Sequence, residues 1–268
     1  MQSPLAGRQL AGNHSANEIL SCTYCISLLY GLLLIRYTYA YMAHTHKHEK
    51  RVWLPDAHLV QAIADSTENL RGSDEEFERA FRILKKYPQR ITIFGSTQPR
   101  PHDEYYKTAV EVSRRLSHEG YAIVTGGGPG IMEAANRGAF EAGGPSIGFN
   151  IVLPREQFLN KYTTDHLAFH YFFTRKVMMA FYVHGFVYFP GGFGTFDELF
   201  EVITLIQTKK MPRVPVVLFG KEYWGKLALF LERHMMDDGY IKSEDEKIFY
   251  ITDDIDEVCR IMNEDYHS

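Results

Sequence analysis

A doubly wound parallel sheet of the α/β class is the fold this chain predicts, and three observations carry the prediction. Short apolar runs recur from Arg90 onward, several of them ending in glycine or proline. Amphipathic stretches separate most of these runs. Apolar residues make up 45% of the 268, against 23% charged, which is enough to fill a sizeable core. Runs that are apolar throughout, rather than alternating, belong to strands buried on both faces. Alternating strands and helices set such strands parallel, joined by right-handed crossovers.

Taken in order, the strand candidates are RITIFGS (90–96), YAIVTGG (121–127), SIGFNI (146–151), HLAFHY (166–171), GFVYFP (185–190) and VPVVLFG (214–220), with IFYIT (248–252) as a late addition. Helices are expected over Asp103–Glu119, Ile131–Ala142, Thr174–Val183 and Thr195–Thr208, and one or two more between Asp56 and Tyr87. No repeat, linker or low-complexity block interrupts the chain after residue 50. We therefore read 51–268 as one Rossmann-like domain with helices on both faces, whose ligand is expected at the carboxyl ends of the strands.

Residues 1–50 read as a separate extension. Ile19–Ile35 carries no charge but is short for a membrane span and rich in Ser, Thr, Cys and Tyr. No clear cleavage site follows it, and Met42 opens a polar, His-containing stretch (His44, His46, His48) that would serve as an ordinary cytosolic start. A dispensable extension, a packing helix and a membrane anchor all remain open for it. Three cysteines, Cys22, Cys25 and Cys259, are too few and too unevenly placed for a disulfide framework, so a reducing, cytoplasmic setting is expected. The net charge of −4 lacks the basic excess of a nucleic-acid binder.

Two strand ends are rich in glycine. The second strand leaves through Gly126, Gly127, Gly128 and Gly130, and the fifth through Gly191, Gly192 and Gly194. Glycine lets backbone amides approach a ligand, and the helix that follows aims its unsatisfied N–H groups and positive dipole end at the same place. A phosphate is the natural guest. Neither loop spells a dinucleotide fingerprint, because Ile131 stands where the last glycine belongs, and neither is followed by Gly-Lys-Ser/Thr. Each loop delivers a glutamate soon after, Glu133 and Glu198. Thr195-Phe-Asp-Glu198 also matches a capping box, which would leave Glu198 with a structural task only. Arg175 and Lys176 open the helix between the fourth and fifth strands. Cations there oppose the helix dipole, so stability does not explain them.

These residues carry a resemblance. TRKVMM together with PGGFGTFDE, the loop GGGPGIM and the strand end FGS resemble the LONELY GUY (LOG) type of nucleotide phosphoribohydrolase, long mislabelled lysine decarboxylase. The likeness runs from about Arg90 to Trp224, and Pro190–Glu198 match the family signature in full. Gly130-Ile-Met-Glu133 departs from the plant-type sequence and resembles the broader bacterial branch. The resemblance implies hydrolysis of the N-glycosidic bond of a nucleoside 5′-monophosphate, a homodimer, no cofactor and no metal. It implies Arg175 and Glu198 as catalytic residues. It further implies that Gly191, Gly192, Gly194 and Thr195 hold the phosphate, and that Ser96, Gly127, Gly128, Glu133 and Lys176 line or support the nucleotide pocket. Two rivals stand beside it: a non-catalytic nucleotide-binding protein, and a pyridoxal-phosphate lysine decarboxylase, which would need a Schiff-base lysine.

Overall fold

The computed structural model describes residues 72–152 and 159–264, within a compact unit running from Gln61 to Ser268. The expectations placed on residues 1–50 lie outside the described residues, as does the first part of the leading helical segment.

Seven parallel strands form one sheet: β1 (Arg90–Phe94), β2 (Ala122–Thr125), β3 (Ser146–Ile151), β4 (Asp165–Phe169), β5 (Gly185–Tyr188), β6 (Val216–Phe219) and β7 (Tyr250–Thr252). Their spatial order is β4-β3-β2-β1-β5-β6-β7. The chain builds outward from β1 in one direction, returns to pair β5 on its other side (Ile91 with Gly185), and builds outward again. That reversal is the topological switch point of a doubly wound sheet, where a crevice opens at the strand ends. All six strand candidates and the late seventh are present.

The helices are α1 (72–84), α2 (Glu104–His118), α3 (Ile131–Glu141), α4 (Phe172–Ala180), α5 (Phe193–Gln207), α6 (Lys221–Leu231) and α7 (Ile255–Asn263). Alternate residues of β1, β2, β5 and β6 feed opposite layers. Ile91 and Ile93 of β1 with Val187 of β5 pack against α2, α3 and α7. Phe94, Phe186 and Tyr188 pack with Ala80 and Leu84 of α1, Met178 of α4, Leu199 of α5 and Trp224 of α6. Helix α2 fits this pattern because Tyr106, Ala109, Val112, Ser113 and Leu116 recur at helical spacing and are all buried.

Helix α4 departs from its expected bounds at both ends. It starts at Phe172, so Arg175 completes the first turn rather than opening it, and it stops at Ala180 instead of Val183. The early stop has a cause. Phe181 is extended and Tyr182 takes a left-handed φ of 48°, which turns both carbonyls toward the buried Arg90 guanidinium. Arg90 also donates to Leu84 and Tyr87 at the end of α1. One cation thus satisfies carbonyls at two helix C-termini, where positive charge is favoured.

Candidate active site

The exits of β1 and β5 are stitched together. The Ser96 amide donates to the Pro190 carbonyl at 3.0 Å, and the Ser96 carbonyl accepts from Ile131, the first residue of α3, at 2.9 Å. Gly130 makes that junction possible. Its φ is +71°, and a Cβ there would overlap the backbone of Ser96 and Thr97. A cleft of about 640 Å³ opens beside the junction, lined by Ser96, Gln98, Tyr105, Pro190, Gly191 and Gly192 among others.

Helix α5 begins at this cleft with Gly192 as its N-cap. The amides of Phe193 and Gly194 therefore have no acceptor within the helix, which leaves them available to an anion. Gly192 and Gly194 are exposed with open space where a side chain would stand. Thr195 is buried, its hydroxyl packed on the backbone of Gly191. The expected capping box does not form. With the cap at Gly192, Thr195 is the third helical residue, and no side chain caps the helix. Glu198 is thus released from the structural task that the sequence pattern offered it.

Glu198 faces Arg175 instead. The guanidinium of Arg175 donates from Nε to the Phe149 carbonyl of β3 at 2.7 Å and approaches Glu198 Oε1 at 3.4 Å, a loose pairing. Its other terminal nitrogen rests where a Cβ on Gly126 would be, so Gly126 is the residue that admits it. Both side chains are largely buried, 10% and 16% exposed. Burial disfavours both charges. It pushes the Glu198 carboxyl up to about 7 from 4.5, with Asp197 adding to the rise, against opposing pulls from Arg175 and Lys176. Burial also lowers Arg175, against the pull of Glu198. Beneath the pair, the fully buried Tyr188 hydroxyl donates to the Glu198 carbonyl at 3.1 Å and anchors this turn of α5.

The remaining predicted residues fall into three groups. Gly127 and Gly128 are buried and tied into a polar network. Thr125 accepts from the Gly127 amide and donates to Asn136. Asn136 also accepts from Asn160, whose amide group donates in addition to the Gly128 carbonyl. Glu133 accepts from Tyr106 of α2 at 2.8 Å, and burial together with that carboxylate pushes the phenol up to about 12. Lys176 is engaged by Asp197 at 2.9 Å and Glu201 at 3.0 Å. It is not among the residues lining the β1–β5 cleft and borders a different cavity with Arg90 and His184. The structure therefore assembles Ser96, Gly191 and Gly192 around the cleft, and Arg175, Glu198 and Gly126 around a buried pair one helical turn away. Sequence reasoning missed Asn136 and Asn160. An asparagine among alanines on a buried helix face was the available signal, since a buried polar side chain requires partners.

Comparisons with known proteins bear on the family and the fold. The family described as "Possible lysine decarboxylase" matches residues 132–262. Cytokinin riboside 5′-monophosphate phosphoribohydrolase LOG1 of Arabidopsis thaliana is 30% identical over 157 residues, covering 57% of this chain and 72% of that one. The probable cytokinin riboside 5′-monophosphate phosphoribohydrolase LOGL5 of Oryza sativa subsp. japonica is 30% identical over 164 residues, covering 60% of this chain and 65% of its own length. The chain thus spans just under two thirds of that rice relative. The X-ray structure of TM1055, a structural-genomics target, shares the fold with a TM-score of 0.50 at 23% identity, covering 65% of this chain and 98% of its own. Signature, sheet and relatives converge: the chain belongs to the LONELY GUY (LOG) family.

Proposed function

We propose that the protein hydrolyses the N-glycosidic bond of a nucleoside 5′-monophosphate, releasing the free base and ribose 5-phosphate. The buried Arg175–Glu198 pair, one turn behind an open helix N-terminus, is the observation that carries this reading. The 5′-phosphate sits on the amides of the Gly192–Gly194 turn. The bond from C1′ to the base nitrogen breaks through an oxocarbenium-like state, which the Glu198 carboxylate stabilises. Water adds to C1′, its proton passes to Glu198, and the base leaves with the bonding electron pair and takes up a proton. Arg175 holds the sugar in line. A carboxyl near 7 suits a group that takes and returns a proton at neutral pH.

The relatives' names point to cytokinin riboside monophosphates, whereas Gly130–Glu133 resembles the broader bacterial branch. We place the substrate class at nucleoside 5′-monophosphates and leave the base to the experiment. A homodimer belongs to the same proposal. Helices α4 and α5 carry the exposed Phe172, Phe173, Val177 and Phe200, a concentration of apolar surface that favours burial by a second copy.

A lysine decarboxylase reaction is not favoured. Burial would lower Lys176, but Asp197 and Glu201 together raise it and hold the ammonium charged, the wrong state for a Schiff-base nucleophile. One observation supports binding without turnover: neither Arg175 nor Glu198 lines the open cleft. Incubation with AMP, GMP, CMP, UMP and a cytokinin riboside monophosphate, with free base assayed by chromatography, separates the two. Hydrolysis predicts base and ribose 5-phosphate in equal amounts, with Glu198→Gln and Arg175→Ala each lowering the rate by about a hundredfold or more. Tight nucleotide binding with no base released establishes the binding protein instead.

A further inference from the structure

Helix α4 presents Arg175, and at its start the Thr174 hydroxyl, which also faces Glu76, lies 2.9 Å from the Tyr171 carbonyl. Its N-cap is Tyr171, it has no side-chain cap, and its first turn holds no acidic residue. The carboxylate that its N-terminus calls for comes from another element. Glu76 of α1 is only 4% exposed. It accepts the His170 amide at 2.6 Å and the Thr174 hydroxyl at 2.5 Å, and its Oε1 lies 3.1 Å from His170 Nδ1. A buried carboxylate is costly unless each oxygen is satisfied, and here both are. The negative charge sits where the α4 dipole is positive and where the chain leaves β4.

We propose that Glu76 is a positioning residue for Arg175. It clamps His170 and Thr174, the residues bracketing the first turn, and Arg175 follows Thr174 directly. With that turn held, the Arg175 Nε–H reaches the Phe149 carbonyl and its guanidinium lies against Gly126 facing Glu198. Glu76 lies upstream of residues 132–262, the stretch that matches the family. The positioning role falls on Glu76 alone and not on the rest of α1, which packs against the core. The inference rests on the hydrolase reading for its kinetic consequence and on geometry alone for its structural one.

The test uses the full chain and three variants: Glu76→Ala, Glu76→Gln and Leu84→Ala. The last removes core packing from the same helix and leaves the hydrogen bonds from Glu76 to His170 and Thr174 in place. With the nucleotide that wild type cleaves best, Glu76→Ala is expected to lower kcat by about ten- to a hundredfold with KM within twofold, the scale of a small misplacement of a catalytic group. Glu76→Gln, which keeps one accepting oxygen for the His170 amide and can donate its amide to the Thr174 hydroxyl, recovers most of the rate. Leu84→Ala lowers the unfolding midpoint but keeps kcat. Equal kcat losses in Glu76→Ala and Leu84→Ala, or an unchanged kcat in Glu76→Ala, overturn the proposal. A second readout stands apart from activity: the Arg175 Nε–H resonance, assigned by its loss in Arg175→Ala. Glu76→Ala is expected to speed its exchange with solvent at least tenfold, and Leu84→Ala to leave it slow. Unchanged exchange in Glu76→Ala overturns the proposal even if no nucleotide is hydrolysed, and accelerated exchange sustains it even if the hydrolase reading fails.

Discussion

Glu198 is held in a setting that works against its own charge, and pH exposes the conflict. Its carboxyl titrates near 7 in the folded chain and near 4.5 when unfolded. Below 4.5 both states hold the proton, and the neutral group is fully compatible with burial. As pH rises toward 7 the unfolded chain ionises first, so this contribution to stability is lost, by at most about 3 kcal/mol above pH 7. Glu198→Gln is expected to match wild type in urea unfolding at pH 4 and to exceed it at pH 8. A gap that fails to widen with pH shows that Arg175 offsets the burial in full. Hydrolysis should show the converse dependence, with kcat/KM climbing through pH 7 to a plateau as the carboxylate forms. Gly126 makes a second case at this scale. Gly126→Ala places a methyl group where the Arg175 guanidinium lies, so base release should drop by about tenfold or more while circular dichroism stays that of wild type. Undiminished activity would show that the observed Arg175 position is not the working one. Glycine at 126 was legible as a loop residue. Its partner was not, because the guanidinium arrives from a helix some fifty residues away.

At the scale of elements, strands were read best. β3, buried along its whole length, matched its expected bounds from Ser146 to Ile151. Helix termini were read less well, for physical reasons. Thr195 and Glu198 carry a capping pattern, but glycine at 192 permitted an earlier start and turned both residues inward. At α4, the demand of Arg90 for two carbonyls ended the helix ahead of its apolar pattern. Propensity acts over a few neighbours, whereas a buried cation imposes its requirement from across the fold. Helices α6 and α7 were not singled out beforehand, although Val258, Cys259, Ile261 and Met262 bury one side of α7. The site split in the same way. The loop glycines and the Arg175–Glu198 pair were visible as motifs, while Glu76, Asn136 and Asn160 act through contacts that no local pattern announces.

Across the whole molecule, the doubly wound parallel sheet followed from strand–helix alternation, its strand order came only from the structure, and the assembly is the open prediction. Helices α4 and α5 expose Phe172, Phe173, Val177 and Phe200, the surface proposed to be covered by a second copy. Phe173→Glu combined with Val177→Glu should halve the mass of the wild-type protein in sedimentation equilibrium. A wild-type chain that already sediments as a monomer would remove the dimer from the proposal. The sheet order has one further consequence. β2 forms beside β1 from nearby chain, but β1 meets β5 only by closing a loop of roughly ninety residues, at a cost in chain entropy that local pairings avoid. That seam is therefore expected to knit last during folding, and the cleft proposed for the phosphate lies directly upon it. On the proposed function, a nascent chain has no site until its two half-sheets join, and a bound nucleotide is expected to act as a rivet that slows their parting and does nothing to hasten their meeting.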